Sequence, residues 1–113
     1  MIDHYQFGRI VIDGQSYESD VIIYPCWCVD DTWWRDQGHL LQLVDLEDAL
    51  AAEPDVLVVG TGAYGRMKVA EEVHERLRQL GIDLIAARTA QAVEHVNELV
   101  ESRRVVAALH LTC

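Results

Sequence analysis

With 113 residues, half of them apolar and a quarter charged, the chain is long enough for one domain with its own core and has the composition of a soluble globular protein. Nineteen acidic against nine basic residues give a formal net charge of −10, a field that repels nucleic acid, and no basic run exceeds Arg103-Arg104. No apolar run approaches the roughly eighteen residues of a membrane-spanning helix, the polar N-terminus MIDHYQFG is no signal or transit peptide, and the expected location is the cytoplasm.

The stretch RIVID (9–13) alternates and is rich in β-branched residues, so it predicts a strand. Asp13-Gly14 supplies the residues that tolerate positive φ in a tight hairpin, and QSYES is the return strand. DVIIYP (20–25) predicts a third strand, closed by Pro25, which cannot donate to a ladder. CWCVDDTWWRDQGHLLQL (26–43) carries three tryptophans and two cysteines and reads either as a strand pair with a loop or as a long functional loop. Asp45 is placed to cap a short helix, LEDALAAE, with Leu46, Ala49 and Leu50 on one side. DVLVV (55–59) is a continuous apolar run, the pattern of a strand covered on both faces. A helix follows to about Leu80, with Val69, Val73, Leu77 and Leu80 at helical spacing and Gly81 after its end. IDLIAA (82–87) predicts a second buried strand. Thr89 is placed to cap a last helix with Ala90, Val93, Val96 and Val100 inward, and VVAALHL (105–111) is the final strand. The fold class expected is α/β, mixed α and β in a single domain over residues 1–113, with an N-terminal β-hairpin section packed on a βαβαβ part.

Gly60, Gly62 and Gly65 form G-x-G-x-x-G between a strand and a helix, the spacing of a dinucleotide loop. Three features oppose that reading. The strand IDLIAA ends in Arg88, not in the acid that holds a ribose; only three candidate parallel strands exist; and the apolar helix pattern starts only at Val69. The motif therefore reads as a strand-to-helix turn beside a small pocket, and not as a true Rossmann fold. An anion or nucleotide remains the alternative ligand, held by Gly60, Thr61 and Gly62 with Arg66, Lys68 and Arg88 supplying charge.

Cys26-x-Cys28 and His110-x-x-Cys113 have the donor types of a zinc site but not the spacing of familiar modules, and C-x-C on a strand would place both sulfurs on one face. Three cysteines without a secretion signal predict reduced thiols. His110 and Cys113, three apart at a strand end, leave opposite faces and make no thiol–imidazole pair. No metal, cofactor or catalytic residue is expected. Trp33 and Trp34 would point to opposite faces if extended, so one is available for a protein partner, with Arg35 and His39 beside it.

Phe7-Gly8 before a strand, Tyr17-x-x-Asp20, Tyr24-Pro25, Trp34-Arg35, Gly38-His39, LVVGTG (57–62), Gly81-Ile82-Asp83, Thr89 with Ala92-Val93, Asn97 and the terminal His110-x-Thr112-Cys113 occur in this order. Together they resemble the MTH-nine-three-eight-like domain family, which includes the adipogenesis-associated domain protein and the mitochondrial complex I assembly factor 3. The resemblance spans nearly the whole chain. It implies a β-hairpin section packed with a parallel βαβ-type part, no established catalysis, and work done through protein contacts. The chain departs from the family pattern at Cys26 and Cys28, so the resemblance implies no cysteine metal site. The expectation is a small non-enzymatic domain that binds a protein partner, not nucleic acid or membrane.

Overall fold

The computed structural model describes residues 1–113. The predicted hairpin forms between β2 (Arg9–Ile12) and β3 (Gln15–Tyr17), with Asp13 and Gly14 both at positive φ. A further strand outside the sequence expectation, β1 (Ile2–Gln6), pairs antiparallel with β2 and completes a three-stranded sheet. Its polar residues IDHYQ hide the strand, because only Ile2 of β1 is fully buried.

The centre is a five-stranded mixed sheet. It is built from β4 (Val21–Ile23), β5 (Val29–Asp30), β7 (Val56–Thr61), β9 (Asp83–Ala87) and β10 (Val105–His110), in the order β5-β4-β10-β7-β9. β10, β7 and β9 run parallel, and β4 and β5 join antiparallel. Two short segments, β6 (Leu40–Leu41) and β8 (Lys68–Val69), pair with each other. The helices are α1 (Glu47–Ala51), α2 (Glu71–Leu80) and α3 (Thr89–Leu99).

β7 and β10 are buried throughout because both faces of the sheet are covered. Val56 and Val58 face α3 and the three-stranded sheet, in a core with Ile2, Ile10, Ala92 and Val96. Leu57 and Val59 face α1 and α2, in a second core with Leu46, Ala49, Val73 and Leu77. Asn97 clips β1 to α3: its Oδ1 accepts the Ile2 N–H and its Nδ2 donates to the Ile2 carbonyl, each at 2.9 Å.

Four expectations are corrected. Asp45 does not cap α1; it lies in a 3₁₀ turn (Leu43–Leu46) and its carboxylate accepts the Gln42 N–H. β9 is an edge strand with Asp83 and Ala86 exposed, not a strand buried on both faces. Val93, Val96 and Val100 of α3 pack on the core with Thr89 and Ala92, but Ala90 is exposed, since Arg88 holds the cap position and Thr89 turns inward. Cys26 and Cys28 are not on a strand. Pro25–Trp27 is a 3₁₀ turn with Cys26 and Trp27 at positive φ, so the premise that both sulfurs share a strand face fails.

Candidate functional site

The chain passes from β7 to β9 on one side and returns to β10 on the other. In an open α/β sheet a ligand crevice would lie between the carboxyl ends of β7 and β10. Here the chain itself fills that space. The Gly62 N–H donates to Thr89 Oγ1 at 2.9 Å, Ala63 N–H to the Thr112 carbonyl at 2.8 Å, Gly65 N–H to the Gly62 carbonyl at 3.3 Å, and Met67 N–H to the Thr61 carbonyl at 3.1 Å. These N–H groups are engaged, whereas those of Tyr64 and Arg66 donate to no protein acceptor. Gly60 continues β7, and a Cβ there would lie 2.8 Å from Thr89 Oγ1 and 2.9 Å from Leu109 Cδ2. Gly62 has φ +102°, and its Cβ would lie 2.6 Å from the Thr112 carbonyl oxygen. Both glycines thus make room for protein, not for ligand. α2 starts only at Glu71, so its N-terminus is not aimed at the glycines. The expected pocket beside this turn is absent: the three cavities lie elsewhere. Thr61 is buried and donates to the Ala87 carbonyl. Of the remaining candidates, Arg66, Lys68 and Arg88 are exposed cations, and Arg88 packs on Gly65.

Beneath this end lies a charged cluster that sequence reasoning missed. Asp20 precedes β4, His110 ends β10, and Arg35 reaches them from the loop between β5 and β6. Asp20 Oδ2 accepts from Arg35 Nη1 and from His110 Nδ1, both at 2.8 Å, and Oδ1 accepts the Leu111 N–H at 2.8 Å. Burial pushes the Asp20 carboxyl up, but hydrogen bonds from His110, Leu111 and Arg35 outweigh it and hold it at about 2. His110 therefore carries its proton on Nδ1, assigned from this network. Its Nε2 is buried and meets no protein partner. An aspartate-oriented imidazole is half of a nucleophilic machine, but no hydroxyl or thiol pairs with Nε2 to complete one. The only signals in sequence were an aspartate ahead of an apolar strand and a histidine ending one.

Arg35 is an anchor and not a surface contact, which corrects its expected role. Besides Asp20, its Nε and Nη2 donate to the Gly38 carbonyl at 3.3 and 2.9 Å, closing the turn that holds Gly38 and His39. Trp33 lies under the guanidinium at 4.8 Å, and its Nε1 donates to the Asp45 carbonyl at 2.9 Å. His39 is exposed, with its ring 6.0 Å edge-on from His110. With Arg35 and Trp33 fixed inward, Trp34 turns outward and is 73% exposed. It stands beside Val44, 56% exposed, over a groove of about 280 Å³. The same groove carries Asp30, Asp45, Glu47 and Asp48. Their field is felt nearby: burial, then the charges of Asp48 and Asp30, push the Tyr24 hydroxyl above its ordinary range. Trp33, Trp34, Arg35 and His39 are thus brought together, with Trp34 alone as the exposed large apolar side chain among them. Cys26, Cys28 and Cys113 are free thiols, and no three His, Cys, Asp or Glu side chains converge as a metal site requires.

Residues 2–110 match a family described as protein of unknown function (DUF498/DUF598). The protein PH1505 from Pyrococcus horikoshii OT3 is 29% identical, with a TM-score of 0.87 over 100% of this chain and 99% of that one. A Bartonella henselae protein described as an outer membrane protein is 25% identical, with a TM-score of 0.82 over 99% and 94% of the two chains. A Bordetella pertussis protein described as a Mth938-like domain shares the fold at 22% identity and a TM-score of 0.69, over 98% and 85%. In the present chain no helix is long and apolar enough to cross a membrane.

Proposed function

The chain belongs to the DUF498/DUF598 family of proteins of unknown function, and on that premise we propose that it is a non-enzymatic docking domain that holds a basic segment of a protein partner against Trp34. One observation carries the reading: an indole 73% exposed, beside Val44, on the edge of a groove with four carboxylates. A tryptophan face accepts a guanidinium or ammonium, and aromatic side chains on rigid supports are the usual anchors of an interface. Asp30 and Asp45 already accept hydrogen bonds from Thr32 and Gln42, so Glu47 and Asp48 are the acids left to meet cations. A net charge of −10 steers a basic partner inward and repels nucleic acid and anionic membrane surfaces. The working compartment in this reading is the cytoplasm, where three free thiols stay reduced. The small-anion alternative is left with Arg66, Lys68, Arg88 and the Tyr64 and Arg66 N–H groups, since the Gly62, Ala63 and Gly65 N–H groups are engaged.

An array of short peptides, arginine- and lysine-rich, neutral and acidic, tests this directly. Basic peptides should be retained by the wild-type chain, weaken as salt rises, and be lost from Trp34→Ala. Retention that ignores charge, or that survives Trp34→Ala, overturns the reading.

A further inference from the structure

We propose that the glycine-loop end of the molecule is a second docking surface, opposite in charge to the Trp34 groove, which takes an acidic segment of a protein by its carboxylates and an aromatic side chain among them. The proposal stands apart from the Trp34 reading and gives the cations of the small-anion alternative a different ligand. Phe7, in the turn between β1 and β2, is 55% exposed, and Tyr64, in the glycine loop, is 61% exposed. Their rings lie 6.1 Å apart with a tilt of 45°.

The pair is held by backbone. Both turns hang from the segment that follows β10: the Gly8 N–H donates to the Leu111 carbonyl at 2.9 Å, and the Ala63 N–H to the Thr112 carbonyl at 2.8 Å. Gly8 at φ +78° and Gly65 at φ +69° make the bends next to the two aromatic residues. Aromatic side chains on a fixed support lose little motion when a partner covers them, which suits them as anchors of an interface.

The charge around the pair decides the occupant. The segments that carry this end, 4–12, 56–70 and 84–93, contain no Asp or Glu, although the chain has 19. Of its nine Lys and Arg residues, Arg9, Arg35, Arg76, Arg78, Arg103 and Arg104 hydrogen-bond within the protein through their side chains. Arg66, Lys68 and Arg88 do not, and none of the three joins an ion pair. They surround the glycine loop. Arg66 follows Gly65, Met67 turns inward ahead of Lys68, and Arg88 Cγ lies 3.3 Å from the place of a Gly65 Cβ. The free N–H groups of Tyr64 and Arg66 stand on either side of Gly65 and add two donors for a carboxylate. Three cations are too few to follow a phosphate backbone against a net charge of −10, whereas a short acidic segment meets its whole need here.

The peptide Glu-Glu-Phe-Glu-Glu is the probe, titrated into the ¹⁵N-labelled whole chain. It should give saturable amide shifts centred on Tyr64, Gly65 and Arg66, weaken as salt rises, and leave the Trp34 indole signal in place. Tyr64→Ala and the double variant Arg66→Gln with Lys68→Gln, all at exposed positions, should each weaken it about tenfold. Glu-Glu-Ala-Glu-Glu should bind more weakly than the probe, and Lys-Lys-Phe-Lys-Lys should not shift these amides. Shifts that do not saturate, that centre on Trp34, or that survive both variants overturn the proposal. So does equal competition by inorganic phosphate, which would leave only a small-anion site, or tighter binding of a single-stranded oligonucleotide, which would make the surface a nucleic-acid contact.

Discussion

At the scale of single residues, the glycines and the buried carboxylate make separable demands. Gly62 combines φ +102° with a neighbour 2.6 Å from its missing Cβ, and Gly60 faces atoms at 2.8 and 2.9 Å. Alanine at either should destabilise by about 2–3 kcal/mol, above the roughly 1 kcal/mol of a typical substitution. Gly65, at φ +69° with the Arg88 side chain at 3.3 Å, meets a movable neighbour, and its alanine variant should lose about 1 kcal/mol. Urea midpoints of the three variants measure this order, and equal midpoints contradict it. Asp20 makes the second demand. Its folded-state pKa of about 2 lies below the ordinary 3.8, so its contribution is complete above about pH 4 and disappears as pH falls through about 2. The stability of the wild-type chain should therefore fall more steeply than that of Asp20→Asn between those limits. Parallel curves from acid titrations followed by circular dichroism would remove the cluster from the account.

At the scale of elements, Thr89 joins the ends of two strands, β7 and β10, to the start of α3. Its hydroxyl donates to the His110 carbonyl at 2.6 Å and accepts the Gly62 N–H at 2.9 Å, fully buried. Thr89→Val keeps the shape but strands both partners, and should lower stability by about 1–3 kcal/mol in thermal or urea unfolding. An unchanged midpoint would mean that the two ends of β7 and β10 do not depend on this bridge. The βαβαβ part was legible in the sequence because strands covered on both faces read as unbroken apolar runs, as in DVLVV and VVAALHL, and α2 carries Val73 and Leu77 at helical spacing. β1 was not, because a strand buried only at Ile2 has no such run. The Asp20–Arg35–His110 cluster was not legible either. Its partners are 15 and 90 positions apart, and no local pattern encodes a bond of that span. The glycine motif misdirects for the same reason: Gly60 and Gly62 answer to Thr89, Leu109 and Thr112, which are distant in sequence.

At the scale of the whole molecule, a buried ion pair and an exposed indole are parts of one arrangement. Arg35 is tied to Asp20 and Gly38, Trp33 lies beneath it, and Trp34, next along the chain, is left facing solvent. Trp34→Ala should accordingly change stability by less than about 0.5 kcal/mol, as for an exposed side chain, while weakening a basic peptide by about 30-fold, the loss typical of an interface hot spot. The most direct measurement is an NMR titration of the indole N–H signals with the basic peptide retained best on the array. The Trp34 Nε1–H should shift saturably and the Trp33 Nε1–H, bonded to the Asp45 carbonyl, should stay near its place. A saturating peptide that leaves the Trp34 signal unmoved contradicts the account.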